Sequence, residues 1–215
     1  MDVLQELEKA ILSYDKDLAA SAAKRVVAED MDLLKAMDLM TATIRKIGDG
    51  FGRGELWLPD LVGGSAAMSS ALPIIEEALK EKGQSRKALG VIVLGTVLGD
   101  IHTIGKAMVG TLLTAAGFNV IDVGINVKPE EFVQAVIRHE ADILAMSALM
   151  TMTAPEQRNT IELLEKEGIR SRVKVMVGGG AITQAFADEI GADGYDATAP
   201  GAMHLARRLM GKEDG

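Results

Sequence analysis

No cysteine occurs among the 215 residues. Disulfides and thiolate metal sites are therefore excluded, and a reducing, cytoplasmic setting is expected. Aromatic residues make up only 3% of the chain, with a single tryptophan, while twelve methionines supply an adaptable apolar interior. Basic residues are also in deficit. Lys and Arg number 23 against 31 Asp and Glu, for a net charge of −8, which argues against a non-specific nucleic-acid surface. No apolar run reads as long enough to span a membrane, and Met1–Ala10 is acidic and amphipathic rather than a leader. Neither nucleic acid nor a membrane is expected as a partner. With only three histidines, the choice of imidazole ligands is small.

What remains is an ordinary globular composition, 48% hydrophobic and 25% charged, in two successive patterns. The first is helical throughout. Val3, Leu4, Leu7, Ile11 and Leu12 fall at helical spacing, and a second helix runs from Asp15 through Val27. A third spans Asp32 to Ile47, with Leu33, Leu34, Met37, Met40 and Ile44 facing inward, until Gly48, Gly50, Gly52 and Gly54 break it. Pro59 opens a fourth that passes Met68, Leu72 and Pro73 on the way to Leu79. A four-helix bundle over residues 1–86 is the natural reading. The charged, apolar-poor run Lys80–Lys87 reads as a linker.

From residue 87 to 215 strand and helix patterns alternate. Strands are expected near 89–94, 118–123, 142–147, 173–177 and 193–195, and helices near 104–116, 129–139, 155–167, 183–190 and 200–210. Gly117, Gly168 and Gly191 stand where helices should stop. The fold class is α/β, a Rossmann-like (flavodoxin-like) parallel sheet of order 2-1-3-4-5 with its crevice between strands 1 and 3.

The stretch Val91–Gly110 organises this second half. The β-branched run Val91–Leu94 reads as a buried strand, a loop with Gly95 and Gly99 follows, and helical spacing then resumes. Asp100 and His102 thus lie on a strand-to-helix loop, where such sheets hold ligands. A carboxylate behind a histidine fixes its tautomer and raises its basicity, as metal ligation requires. Gly105 offers a helix start without a side chain, open to a bulky neighbour. His139 and His204 lie on predicted helix surfaces and read as solvated.

Asp100-x-His102-x-x-Gly105, Ser147-x-Leu149 and Gly178-Gly179-Gly180, at their separations, resemble the cobalamin-binding domain of methionine synthase, the adenosylcobalamin mutases and the corrinoid proteins of methylamine, methanol, methoxylated-aromatic and betaine metabolism. The resemblance implies cobalamin, as methylcobalamin or a related corrinoid, bound with its own base displaced and cobalt held from below by His102. Asp100 would take the other imidazole N–H. Thr153 stands where methionine synthase has a serine; it either completes that relay or caps the helix near Pro155, and both readings stay open. Gly99, Ile101, Thr103, Ile104 and Gly105 would lie around the ligand loop. Ser147 and Thr151 would bond the buried nucleotide tail, with Leu149 packed on it and Gly178, Gly179 and Gly180 leaving it room. Tyr195 and Ala199 would close the tail pocket. Trp57, just before Leu58-Pro59, is the candidate cover for the upper face, with Met68 and Leu72 behind it; packing in the bundle core is the rival reading for Trp57.

Bundle and cobalamin domain together account for nearly the whole chain, with no catalytic barrel. That resembles the free-standing corrinoid proteins of anaerobic one-carbon metabolism. These pass a methyl group from a substrate-specific corrinoid methyltransferase to one serving tetrahydrofolate or coenzyme M, with a reductive activase in attendance. The chain reads as a methyl carrier rather than a complete enzyme, with Lys80–Lys87 and the 48–54 glycine run as expected hinges. A cobalamin-dependent sensor is the alternative. A receiver domain would need an aspartate where Ser147 stands.

Overall fold

The computed structural model describes residues 2–82 and 88–212. The chain divides into two compact units, Met1–Lys87 and Ala88–Gly215.

The first unit holds α1 (Val3–Leu12), α2 (Lys16–Ala28), α3 (Leu33–Gly52) and α4 (Leu58–Glu81). Asp15 and Asp32 cap α2 and α3, each side chain accepting from a backbone N–H three residues on. Their apolar faces close the bundle, with Leu7, Ile11, Met40 and Ile75 fully buried. Leu34 departs from the expected inward face and is 40% exposed. The glycine break is also corrected. Gly48, Gly50 and Gly52 lie within α3, which ends only at Arg53 before Gly54 at φ +74°. Packing overrides propensity here: a Cβ on Gly50 would stand 2.9 Å from Leu56 Cδ1. Of the residues expected to form a linker, Lys80 and Glu81 are the last turn of α4, Lys82 caps it, and residues 83–87 lie outside the described ones.

α4 continues through Pro73 for 24 residues. By length and composition alone it is a helix that could cross a membrane, a test that the core helix of a bundle also passes. In the structure it packs on α2 and α3, and Gly64 admits Ile47, whose Cδ1 would lie 2.5 Å from a Cβ there.

The second unit is a five-stranded parallel sheet of order β2-β1-β3-β4-β5, as the alternation predicts. Its strands are β1 (Val91–Val97), β2 (Asn119–Val127), β3 (Ile143–Ser147), β4 (Lys174–Gly178) and β5 (Gly194–Tyr195). The crossovers are α5 (Ile104–Ala115), α6 (Pro129–Arg138), α7 (Pro155–Lys166) with a short 3₁₀ turn at Arg170–Arg172, and α8 (Gln184–Glu189); α9 (Ala199–Leu209) follows β5. Gly117, Gly168 and Gly191 all take positive φ at helix ends. β1 runs past its expected end through Gly95 to Val97. Gly95 belongs in the strand because Phe132 fills the place of its side chain, with Cε1 2.6 Å from an added Cβ. The register then does the positioning: Thr96, Ser147 and Gly178 lie in one row across β1, β3 and β4.

Candidate cofactor site

At the carboxyl ends of β1 and β3, Asp100 is fully buried and holds two loops together. Its Oδ1 accepts from the backbone N–H of His102 at 3.0 Å and lies 2.7 Å from His102 Nδ1. Its Oδ2 accepts from Leu149 N and from Thr153 Oγ1, each at 2.8 Å. Burial by itself would raise this carboxyl. The hydrogen bonds from His102 N, Leu149 N, His102 Nδ1 and Thr153 outweigh it and hold the group well below the ordinary carboxylate range. An ionised Asp100 can only accept, so Nδ1 is the donor of this pair, and in the neutral ring Nε2 is then the nitrogen with the lone pair. The imidazole is 47% exposed, so that lone pair is within reach of a ligand.

The backbone around the histidine is fixed as well. Thr96, buried at the end of β1, donates its hydroxyl to the His102 carbonyl at 3.0 Å. Gly99, at φ +77°, donates to Asn126 Oδ1 on β2 at 2.7 Å. Around this anchored ring the loops are apolar and open: Ile101 and Ile104 are each 69% exposed and Leu149 is 46% exposed. Thr103 stands at the start of α5, and a Cβ on Gly105 would meet nothing within 4 Å. Lys106, 4% exposed in the first turn of α5, pairs with Asp122 of β2 and ties that turn to the sheet.

On the β3 side, Ser147 ends its strand half-buried and Thr151 is exposed in the following turn. Thr153 also lies 3.0 Å from the Met150 carbonyl, so its single hydroxyl proton has two acceptors. It does not cap α7, whose first turn receives no side-chain bond; of the two readings of Thr153, the contact to Asp100 is the one present. Gly179, at φ +112°, approaches the peptide of Ala148 so closely that a Cβ would stand 2.1 Å from its oxygen. Gly180 lies under Leu149, with Cδ1 2.8 Å from an added Cβ. These glycines therefore serve the packing of the two loops on one another. Tyr195 is half-buried against the sheet core, and Ala199 opens α9.

Trp57, Met68 and Leu72 belong to the helical unit. Trp57 is 75% exposed at the start of α4, which rules out core packing; Met68 is buried at 3% and Leu72 half-buried. Three contributors were not foreseen. Thr96 and Asn126 carry no local motif; Thr96 reaches the loop that follows its own strand, and Asn126 acts from the neighbouring strand. Gln157 of α7, fully buried, donates to the Met146 and Gly178 carbonyls at 3.0 and 3.2 Å and bolts β3 to β4. An Asn two residues after a glycine in an edge strand is the one signal that could have been noticed.

The donor set suits a metal that arrives already enclosed by another ligand. Among the described residues no group of three or more His, Asp or Glu side chains is arranged around a bare ion. One oriented imidazole nitrogen, an apolar rim and open space over Gly105 fit a planar macrocycle seated on the strand ends.

Comparison with known proteins agrees. The B12 binding domain matches residues 90–203, and a second B12 binding domain family matches residues 3–76. A corrinoid protein of Desulfitobacterium hafniense is 42% identical over 214 residues, 99% of either chain. A dimethylamine corrinoid protein of Methanosarcina acetivorans is 43% identical over 97% of this chain and 96% of its own. The crystal structure of the methanol:cobalamin methyltransferase complex from Methanosarcina barkeri is similar at a TM-score of 0.87 and 26% identity, over 97% of this chain and 80% of that one. With its motif loops converging on one histidine and its whole length matched by such relatives, the chain belongs to the B12-binding corrinoid proteins.

Proposed function

We propose that the protein is a methyl carrier. It binds cobalamin with the base displaced, takes a methyl group from a substrate-specific corrinoid methyltransferase, and yields it to a methyltransferase serving tetrahydrofolate or coenzyme M. One observation carries the reading: the Asp100 carboxylate receives four donors and so leaves His102 Nε2 as a free, outward base. The relatives support the partner class, since one is a dimethylamine corrinoid protein and a similar structure is a methanol:cobalamin methyltransferase complex.

When bound, the corrinoid supplies a cobalt centre able to accept and release a methyl group. This chain's residues do the rest. His102 Nε2 would hold cobalt from below, and Asp100 keeps the proton on Nδ1. Thr153 can turn its hydroxyl from Asp100 to the Met150 carbonyl, which lets it accept a proton-bearing Asp100 without losing either contact. Thr96 holds the ligand loop, and Ile101 and Ile104 keep water from the lower face. Ser147 and Thr151, beside Gly178, Gly179 and Gly180, line the way for the nucleotide tail, with Tyr195 and Ala199 behind. Trp57, exposed on the helical unit with Met68 and Leu72 on the same helix, would be the cover for the bound corrinoid. A reductive activase is the partner that would supply electrons to return an oxidised carrier to service.

The test is spectral first. Loaded with aquocobalamin, the chain should turn red-orange, with a spectrum that His102→Ala alters. A bound cofactor whose benzimidazole remains on the metal would end the reading. Methyl transfer from a panel of methylamines, methanol, methoxylated aromatics and betaines, each with its methyltransferase, then identifies the donor.

A further inference from the structure

β2 carries two extra residues where it passes the end of β1. Leu94 pairs with Asp122 and Gly95 with Gly124, so Val123 is inserted; Val97 then pairs with Val127, inserting another between Gly124 and Val127. Such bulges rotate a strand and re-aim its side chains, and they favour the neighbourhood of functional sites. Here the consequence is specific. Gly124 takes φ +95° and Asn126 takes φ +54°, a left-handed conformation that asparagine tolerates better than most residues. In that conformation both polar groups of Asn126 face the ligand loop. Its Oδ1 accepts from Gly99 N at 2.7 Å, and its own N–H donates to the Asp100 carbonyl at 2.9 Å.

We infer that Asn126 is a positioning residue for cobalt ligation, a two-point clamp that fixes the backbone on either side of the Gly99–Asp100 peptide and thereby aims the His102 ring. The inference rests on His102 being the cobalt ligand, as proposed above. It adds a residue on the edge strand, outside the three motifs, whose hydrogen bonds go to Gly99 and Asp100 rather than to the imidazole. The chemistry required at 126 is an acceptor side chain on a residue at ease with positive φ. Aspartate meets that requirement; glycine keeps the backbone but lacks the acceptor.

The full chain is compared with Asn126→Gly, Asn126→Asp and His102→Ala. Two readouts are used: titration with aquocobalamin followed by its visible spectrum, and nitrogen-15 NMR of the His102 ring in the cofactor-free chain. Asn126→Gly should bind about 10–100-fold more weakly, the range found when a partner that orients a metal ligand is lost. Its His102 ring should also lose the single Nδ1–H tautomer, while thermal unfolding stays close to parental. Asn126→Asp should restore affinity, spectrum and tautomer. Parental affinity and tautomer in Asn126→Gly would overturn the inference, as would an Asn126→Asp chain as impaired as the glycine variant. A parent whose spectrum is indifferent to His102→Ala would instead overturn the ligand reading itself, which separates the two failures.

Discussion

Replacing Asp100 by asparagine swaps one acceptor oxygen for an amide that donates into a site already full of donors. The four contacts from His102, Leu149 and Thr153 cannot all survive, and the imidazole tautomer loses its anchor. Asp100→Asn should therefore cost about 10–100-fold in corrinoid affinity, measured by spectral titration. Thr153→Ala should cost less, because three donors remain, and Thr153→Ser should be nearly neutral. At this scale the sequence was informative wherever chemistry is local: Asp100 and His102 stand two residues apart and their contact needs no tertiary knowledge. Thr96, Asn126 and Gln157 were silent because each acts across a strand or helix boundary. Only the register of the sheet makes an isolated hydroxyl or amide meaningful. Thr153 lay between these cases, foreseen through family resemblance and then found 2.8 Å from Asp100 Oδ2.

Elements meet tightly where the loop after β4 crosses the loop after β3. Gly179→Ala would drive a Cβ to 2.1 Å from the Ala148 oxygen in a backbone at φ +112°. The loops must separate, at an expected cost above about 2 kcal/mol, seen as a lower denaturant midpoint. A second inter-element tie is electrostatic. Asp193, before β5, accepts from Val175 N at 2.8 Å and from Arg170 at 2.8 Å, with Lys174 at 3.3 Å. Burial opposes its charge, but the Val175 N–H and the Arg170 and Lys174 cations prevail and depress its pKa. The sign follows from linkage: the stabilisation is complete above the unfolded carboxylate value of about 3.9 and is lost as pH falls through the lower folded value. Asp193→Ala should thus be less stable by about 2 kcal/mol near neutrality, with the gap narrowing in acid unfolding titrations. Sheet order and helix positions were legible from periodicity and helix-ending glycines. Gly50 in α3 and Gly95 in β1 misled because their reason is the side chain packed against them, Leu56 and Phe132, which no local pattern reveals.

Over the whole molecule, the ligand loop and the proposed cover belong to different units. Among the described residues, those that hydrogen-bond Asp100 or the His102 backbone lie in Ala88–Gly215, while the sole tryptophan sits exposed on the helical unit. Trp57→Ala should accordingly leave stability within about 0.5 kcal/mol and corrinoid uptake unchanged, as surface substitutions do. Methyl-transfer rate with partner methyltransferases is the measurement it should alter. Gly105 has the opposite character to Gly179. It lies in the first turn of a helix with nothing within 4 Å of an added Cβ, and alanine there should raise helix stability by roughly 0.5–1 kcal/mol. The same methyl would intrude on the open space over the loop, where the proposed corrinoid would sit. A laboratory breeding programme that ranked variants by heat resistance alone would therefore favour this change first, and would enrich sturdier proteins steadily emptier of their red pigment.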